Sequence, residues 1–287
     1  MPERPAPSPE TIHRAARLRL LALEAARAAA PALETAFRGE IVAENKTNSH
    51  DLVTAQDRAS ELAIEAVLLA GEPDSRILGE EGGARGRGAI QWIVDPIDGT
   101  SNFAHGVAFF CISIAAALDG ELLAGVVLDP IAGLEFSADA EHAYLNGEVL
   151  VPGACAEQRH ASLMTDYPSA EAIALDGDAG LAEFGKLVCA FATLRRKVSA
   201  ALGLAHVAAG WTDATLGLDT NPWDVAAGVL LVQRSGGSYL PYSYDDEPRP
   251  AHEAPCFVAF GPGGDFPAAT GAVQRLVAAR RDAGYRR

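Results

Sequence analysis

The stretch Gln91-Trp92-Ile93-Val94-Asp95-Pro96-Ile97-Asp98-Gly99-Thr100-Ser101-Asn102-Phe103 constrains the fold more than any other part of the chain. Apolar residues run into Asp95 and predict a buried strand. The strand should end at Pro96, which has no N–H to give to a ladder. Asp95 and Asp98 then stand three apart on one tight turn, ahead of Gly99 and Thr100, where backbone N–H groups can stay free. A strand end with two fixed negative charges beside an amide nest suits a hard divalent cation and a phosphate oxygen. Taken alone, such a turn is more often a polar strand-to-helix connection with Asp98 as the cap. The rest of the chain decides between the two.

With 287 residues, the chain can build one large domain or two smaller ones around a sizeable core. We expect a division near Pro152–Arg159, where the chain turns polar, giving units 1–152 and 153–287. The net charge of −15 argues against nucleic acid as a main partner and is compatible with a site that gathers cations. Cys111, Cys155, Cys189 and Cys256 show no C-x-x-C spacing and read as reduced thiols. No apolar run reaches the roughly 20 residues of a membrane span. Charges at Arg14, Arg17, Arg19, Glu24 and Arg27 break up any signal-peptide core, so a cytoplasmic location without membrane contact is expected.

In chain order, Ser8-Pro9 predicts a helix start, a stop near Pro31, and a second helical piece over Ala32–Phe37. Thr54 and Asp57 have capping-box spacing before a helix over Ala59–Ala70. Ile77-Leu78 is a short apolar pair, and Gly79 to Gly88 reads as a loop. Asp119-Gly120 predicts a hairpin between Ala108–Leu118 and Leu122–Leu128, and Asn146-Gly147 another turn. The second half alternates as an α/β chain: strands near Ser162–Thr165, Thr193–Lys197, Thr212–Leu218, Gly237–Tyr242 and Cys256–Phe260. Its helices are expected over Ala179–Phe191, after Ser199, after Asn221-Pro222, and from about Ala268. Asp57, Lys46, Glu80 and Asp224 each have a plain structural explanation: caps and solvated loops.

Together with the Asp95 turn, these residues resemble the inositol monophosphatase family. The matching motifs are Lys46 before Asp51-Leu52-Val53-Thr54-Ala55-Gln56-Asp57, then Gly79-Glu80-Glu81, then Trp92–Phe103, then Trp223-Asp224-Val225-Ala226-Ala227-Gly228, in family order. The resemblance implies a layered α-β-α-β-α sandwich of the inositol monophosphatase and fructose-1,6-bisphosphatase type, usually a homodimer. It implies two or three Mg²⁺ ions, with Mn²⁺ an alternative, on Glu80, Asp95, the Ile97 carbonyl, Asp98 and Asp224. An all-oxygen set of this kind suits Mg²⁺ rather than zinc. Glu81 would stand behind these ligands. Two cations roughly 3.5–4 Å apart can stabilise the attacking and leaving oxygens of an in-line displacement. A metal-bound water activated by Thr100 and Asp57 would then attack phosphorus. Gly99, Thr100 and Ser101 would hold the phosphate, and Lys46 the loop beside the metals.

The implied activity is hydrolysis of a small phosphorylated polyol, such as an inositol 1-phosphate. Histidinol phosphate, fructose 1,6-bisphosphate and adenosine 3′,5′-bisphosphate are alternatives from related branches. A non-catalytic regulatory protein on the same scaffold is the alternative of another class. The substrate end departs from the inositol pattern: Gly217 stands where many members have a glutamate, and Val198 stands where a glycine precedes Ser199-Ala200-Ala201. Arg195, Ser199 and Asp224 are the expected substrate contacts, with Arg195-Arg196-Lys197 either a pocket for a second anionic group or a solvated basic edge.

Overall fold

The computed structural model describes residues 7–39, 43–45 and 52–287. Its helices are α1 (Pro9–Ala36), α2 (Ala55–Gly71), α3 (Thr100–Ala104), α4 (Ala170–Ala190), α5 (Ala200–Ala208), α6 (Pro222–Arg234) and α7 (Pro267–Asp282). The first strands are β1 (Ala43–Asn45), β2 (Leu52–Thr54), β3 (Ser75–Gly79), β4 (Gly83–Gly86), β5 (Ile90–Asp98), β6 (Cys111–Leu118), β7 (Glu121–Asp129), β8 (Leu134–Ala138), β9 (Ala143–Leu145) and β10 (Glu148–Val149). The later ones are β11 (Ser162–Thr165), β12 (Thr193–Arg196), β13 (Ala214–Leu218), β14 (Ser238–Tyr242) and β15 (Cys256–Phe260).

β1 and β2 pair with each other, β3 to β10 form an eight-stranded sheet, and β11 to β15 form a five-stranded one in the order β12-β11-β13-β15-β14. The layering follows from apolar runs that are covered on both faces. On β5 and β6, Trp92, Val94, Ile112, Ile114 and Ala116 pack with α1 and α2, while Ile93, Ala115 and Ala117 turn to α5 and α6. On β15, Phe257 and Ala259 face that same middle layer, and Cys256, Val258 and Phe260 face α4 and α7. A period of two on each strand therefore sorts one apolar run into two cores. The outcome is α1/α2, sheet, α5/α6, sheet, α4/α7: the expected α-β-α-β-α sandwich.

Most elements lie where the sequence places them. Asp119 and Gly120 both take positive φ, at 50° and 82°, and close the β6–β7 hairpin with Leu118 opposite Glu121. Four boundaries differ. α1 runs straight through Pro31 instead of breaking there. Pro31 lies on the exposed face, Thr35 Oγ1 donates to its carbonyl at 2.8 Å, and burial of Ala29, Ala30 and Leu33 outweighs the missing backbone bond. Gly83–Gly86 is a strand pairing antiparallel with β3 rather than a loop. α4 begins at Ala170, capped by Ser169, and kinks at Gly177, which has φ 56° and ψ −145°. Finally, β5 continues past Pro96 to Asp98.

Candidate active site

The continuation past Pro96 decides what Asp95 and Asp98 can do. In a regular strand, residues three apart point to opposite faces. Here Asp95 pairs with Ser113 and Asp98 with Cys111, so three steps on β5 oppose two on β6. This bulge absorbs the proline and turns both carboxylates into one cleft. Behind it, Gly99 has φ 99°, and a Cβ there would stand 3.1 Å from both Phe109 O and Val198 O. Only glycine fits this backbone. It launches the short helix α3, so Gly99, Thr100 and Ser101 line the cleft.

Two further elements bring the remaining acids. Gly79 ends β3, and its neighbour Glu80 donates its N–H to Val94 O at 3.1 Å, beside Asp95. Asn221 and Pro222 open α6 and place Asp224 in its first turn, where Asp224 Oδ2 accepts from Asn221 N at 2.7 Å. Ser113 Oγ donates to Trp223 O at 3.1 Å and pins α6 to β6 at this point. Glu80, Asp95, Asp98, Asp224 and Ile97 thus share a cleft of about 230 Å³ with Asp166, Val198, Ala200, Thr220 and Asn221.

Asp57 lies in the first turn of α2, fully buried, and accepts from Thr100 Oγ1 at 3.1 Å. The same hydroxyl lies 3.0 Å from Ile97 O. The helix cap read from the sequence thus has its carboxylate in the site. Asp98 Oδ2 accepts from Ser199 Oγ at 2.5 Å and from Ala201 N at 2.8 Å, which ties the bulge to the start of α5. Asp95 Oδ1 accepts from Ile97 N at 2.9 Å. Asp57, Asp95 and Asp98 are thus each held by at least one hydrogen bond from their surroundings.

Electrostatics in the cleft are unfavourable without a cation. Burial, then Glu80, Asp98 and Asp224, push the Asp95 carboxyl well above the usual range. Burial, then Asp98, does the same for Asp224. Asp98 is pushed up to about 7 by burial, against its bond from Ser199 and with Asp166 adding to the rise. Among the described residues no three acids, imidazoles or thiols converge as a ready-made metal cage. Mg²⁺ needs none: it retains several waters and takes one or two carboxylates. An all-oxygen set of crowded, buried acids that burial and mutual repulsion make costly without a cation fits such an ion.

Some supporting residues were not singled out in the sequence. Glu61, buried on α2, accepts from Glu81 N at 2.8 Å and from Arg85 Nη2 at 2.6 Å, and so holds the Glu80-Glu81 turn. Asn102 Nδ2 reaches Phe109 O and Lys197 O at 2.7 Å and Val198 O at 3.0 Å, clamping α3 to the β12–α5 loop. Val198 sits at φ 54°, rare for a β-branched residue. Unlike Glu61 and Asn102, Val198 was marked in the sequence, as standing where the family pattern has a glycine. Arg195 is not brought to the cleft: it is exposed, bonds Thr193 Oγ1, and lines a separate cavity with Lys197, His206 and Trp211. Lys46 lies outside the described residues.

A family model described as the inositol monophosphatase family matches residues 15–271. The chain is 41% identical over 226 residues to the Nus factor SuhB of Pseudomonas aeruginosa, covering 76% of this chain and 82% of that protein. It is 38% identical over 192 residues to the inositol-1-monophosphatase of Rhizobium meliloti, covering 65% and 71%. The solved inositol monophosphatase of Anabaena superposes with a TM-score of 0.74 at 30% identity, covering 91% of this chain and 95% of that one.

Proposed function

The chain belongs to the inositol monophosphatase family, and from that premise we propose that it is a Mg²⁺-dependent phosphomonoesterase acting on a small phosphorylated polyol or metabolite. The observation that carries this reading is the meeting of Glu80, Asp95, Asp98 and Asp224 around the Ile97 carbonyl, with the Thr100–Asp57 pair beside them. Glu80, Asp95, Asp98, Asp224 and the Ile97 carbonyl would hold two or three Mg²⁺ ions, or Mn²⁺. When bound, the ions neutralise phosphate charge and acidify water.

The chain's own groups do the rest. Asp57 takes the Thr100 hydroxyl proton in a hydrogen bond, which leaves the Thr100 oxygen lone pairs to accept from an attacking water. The start of α3 offers the N–H groups of Gly99, Thr100 and Ser101 to the phosphate oxygens, where negative charge is favoured. Ser199 holds Asp98 in place, and Glu81, held by Glu61, holds the turn carrying Glu80. Asp166, Thr220 and Asn221 line the rest of the cleft, where the leaving alcohol would lie. No covalent phosphoenzyme is required. The homodimer expected from the resemblance is part of the proposal, checked by light scattering. Among the described residues no helix is long and apolar enough to cross a membrane.

The test is phosphate release from inositol 1-phosphate, histidinol phosphate, fructose 1,6-bisphosphate and adenosine 3′,5′-bisphosphate, with and without Mg²⁺. Mg²⁺-dependent turnover that falls at least a thousandfold in Asp95→Asn, with folding retained, supports the proposal. Near-normal rates in that variant at saturating Mg²⁺ overturn the site assignment. The Pseudomonas relative's name motivates a second reading, a Nus-factor-like binding role on this scaffold. Mg²⁺ binding with no turnover of any ester would favour it.

A further inference from the structure

Past α7 the chain turns back toward the cleft. Gly284 has φ 82° and reverses its direction, and Tyr285 N donates to Arg280 O at 2.9 Å. The Tyr285 ring stands edge-on to Tyr244, with centroids 5.0 Å apart, and its hydroxyl donates to Asp219 Oδ1 at 3.3 Å. This brings Arg287 to the turn between β13 and α6. Its Nη1 donates to Asp219 O, and its Nη2 donates to Asn221 Oδ1 at 2.9 Å. One guanidinium therefore spans both ends of the turn over residues 219–221.

That turn delivers Asp224 to the cleft. Asp219 has φ 60°, and Thr220 N donates to Pro255 O at 2.9 Å. The Asp219 carboxylate is held by Arg280 Nη1 at 2.6 Å and by Tyr244 OH at 2.8 Å, so the turn keeps its place without Arg287. What Arg287 adds is the bond to Asn221. An amide has an acceptor end and a donor end. With Oδ1 taken by Arg287, Asn221 turns Nδ2 to within 3.4 Å of Asp224 Oδ2, beside its own backbone N–H at 2.7 Å. Two donors then fix one oxygen of Asp224. Among the described residues lining the cleft there is no cation, and the Arg287 charge works against the burial that pushes the Asp224 carboxyl up. The Arg287 side chain is 35% exposed, and Asp219 keeps Arg280, so removing Arg287 strands no buried charge.

Resting on the metal-site reading above, we propose that Arg287 is a positioning residue for Asp224: by setting the sense of the Asn221 amide, it holds the Asp224 carboxylate ready to receive a divalent cation.

The experiment is calorimetric titration of Mg²⁺ into the wild type, Arg287→Met, Arg287→Lys and Asp224→Asn, with thermal melting of each protein in EDTA. Partners that orient a metal ligand from behind set metal affinity by about 10–100-fold, and Arg287 acts one bond further out, so Arg287→Met should weaken Mg²⁺ binding about tenfold. Its melting temperature in EDTA should match the wild type. The Mg²⁺ concentration for half-maximal phosphate release should rise by the same factor as the dissociation constant. Arg287→Lys keeps the charge, but an ammonium cannot span Asp219 O and Asn221 Oδ1 together, so it should recover little of the loss. Unchanged or tighter Mg²⁺ binding in Arg287→Met overturns the proposal. Full recovery in Arg287→Lys also overturns it, because charge alone would then account for the effect. If the wild type binds no Mg²⁺, or Asp224→Asn binds it as well as the wild type, the metal-site reading itself fails and this proposal with it.

Discussion

Arg280 on α7 is the perturbation whose cost can be worked most closely. Its side chain is 1% exposed, and the Asp176 side chain it meets is 4% exposed. Nε and Nη2 each donate to Asp176 at 2.7 Å, a two-pronged pair, while Nη1 donates to Asp219 at 2.6 Å and to Tyr244 OH at 2.8 Å. Burial works against the guanidinium charge, but the bonds from Asp176, Tyr244 and Asp219 more than restore it, so its pKa is raised. Arg280→Met removes the cation and leaves Asp176 buried with no counter-charge. Breaking a buried pair in this way costs about 3–5 kcal/mol, most of it the penalty on the stranded carboxylate. Arg280→Met with Asp176→Leu removes both charges, and the double variant should lose only about 1–2 kcal/mol. The double variant is then about 2–3 kcal/mol more stable than Arg280→Met alone, and the coupling from the double-mutant cycle exceeds this difference by whatever Asp176→Leu costs on its own. Equilibrium urea unfolding, followed by fluorescence and by circular dichroism, is the assay. A loss below about 1 kcal/mol for Arg280→Met, or additive losses in the double variant, would refute the reasoning. Because Asp219 leads into Thr220 and Asn221, the single variant should also weaken turnover, and the double variant should not restore it.

Gly99→Ala forces an alanine to φ 99° with its Cβ 3.1 Å from two carbonyl oxygens, so it should cost about 1–3 kcal/mol in strain and lower kcat at least tenfold. Thermal melting and Mg²⁺-dependent phosphate release check both halves. Val198→Gly acts in the opposite direction: it relieves a β-branched residue at φ 54°, and even after the entropic penalty of glycine the melting temperature should rise or hold. A clear fall would show that the Val198 side chain does more than fill space. His252 is 3% exposed, and burial holds its pKa down at about 4. An unfolded histidine takes its proton near 6.5, so the unfolded state binds more protons between these values. The neutral imidazole's contribution is complete above about pH 6.5 and is lost as pH falls toward 4, up to about 3 kcal/mol. His252→Gln should flatten the stability profile over that window; an unchanged slope would assign the acid sensitivity elsewhere, with His206, also held down at about 4 by burial, the first alternative.

What could be read from the sequence was set by the range of the interaction behind each feature. Hairpins at Asp119-Gly120 and Asn146-Gly147 and the caps at Ser8, Ser199 and Asn221 depend on neighbours within a few residues. They were legible. The bulge at Pro96 was not: a proline without an N–H predicts the end of a strand, and only the partner β6 shows that the ladder resumes two residues later with the parity reversed. That reversal is what sends Asp95 and Asp98 the same way, so motif spacing named the pair but not the device that aligns it. Asp166 lies further still from any local signal. Its place beside the cleft depends on β11 lying parallel to β13, on α5 starting where Val198 and Ser199 can donate to it, and on Phe257 closing the Gly217 position. None of these contacts is visible in the residues flanking Asp166. The acids proposed to hold the metals cluster in short motifs because backbone turns position them. The rest of the cleft wall, with Asp166 from the end of β11, Val198 from the β12–α5 loop and Asn221 at the start of α6, is assembled across the second sheet, so its residues could not be named from motif spacing alone.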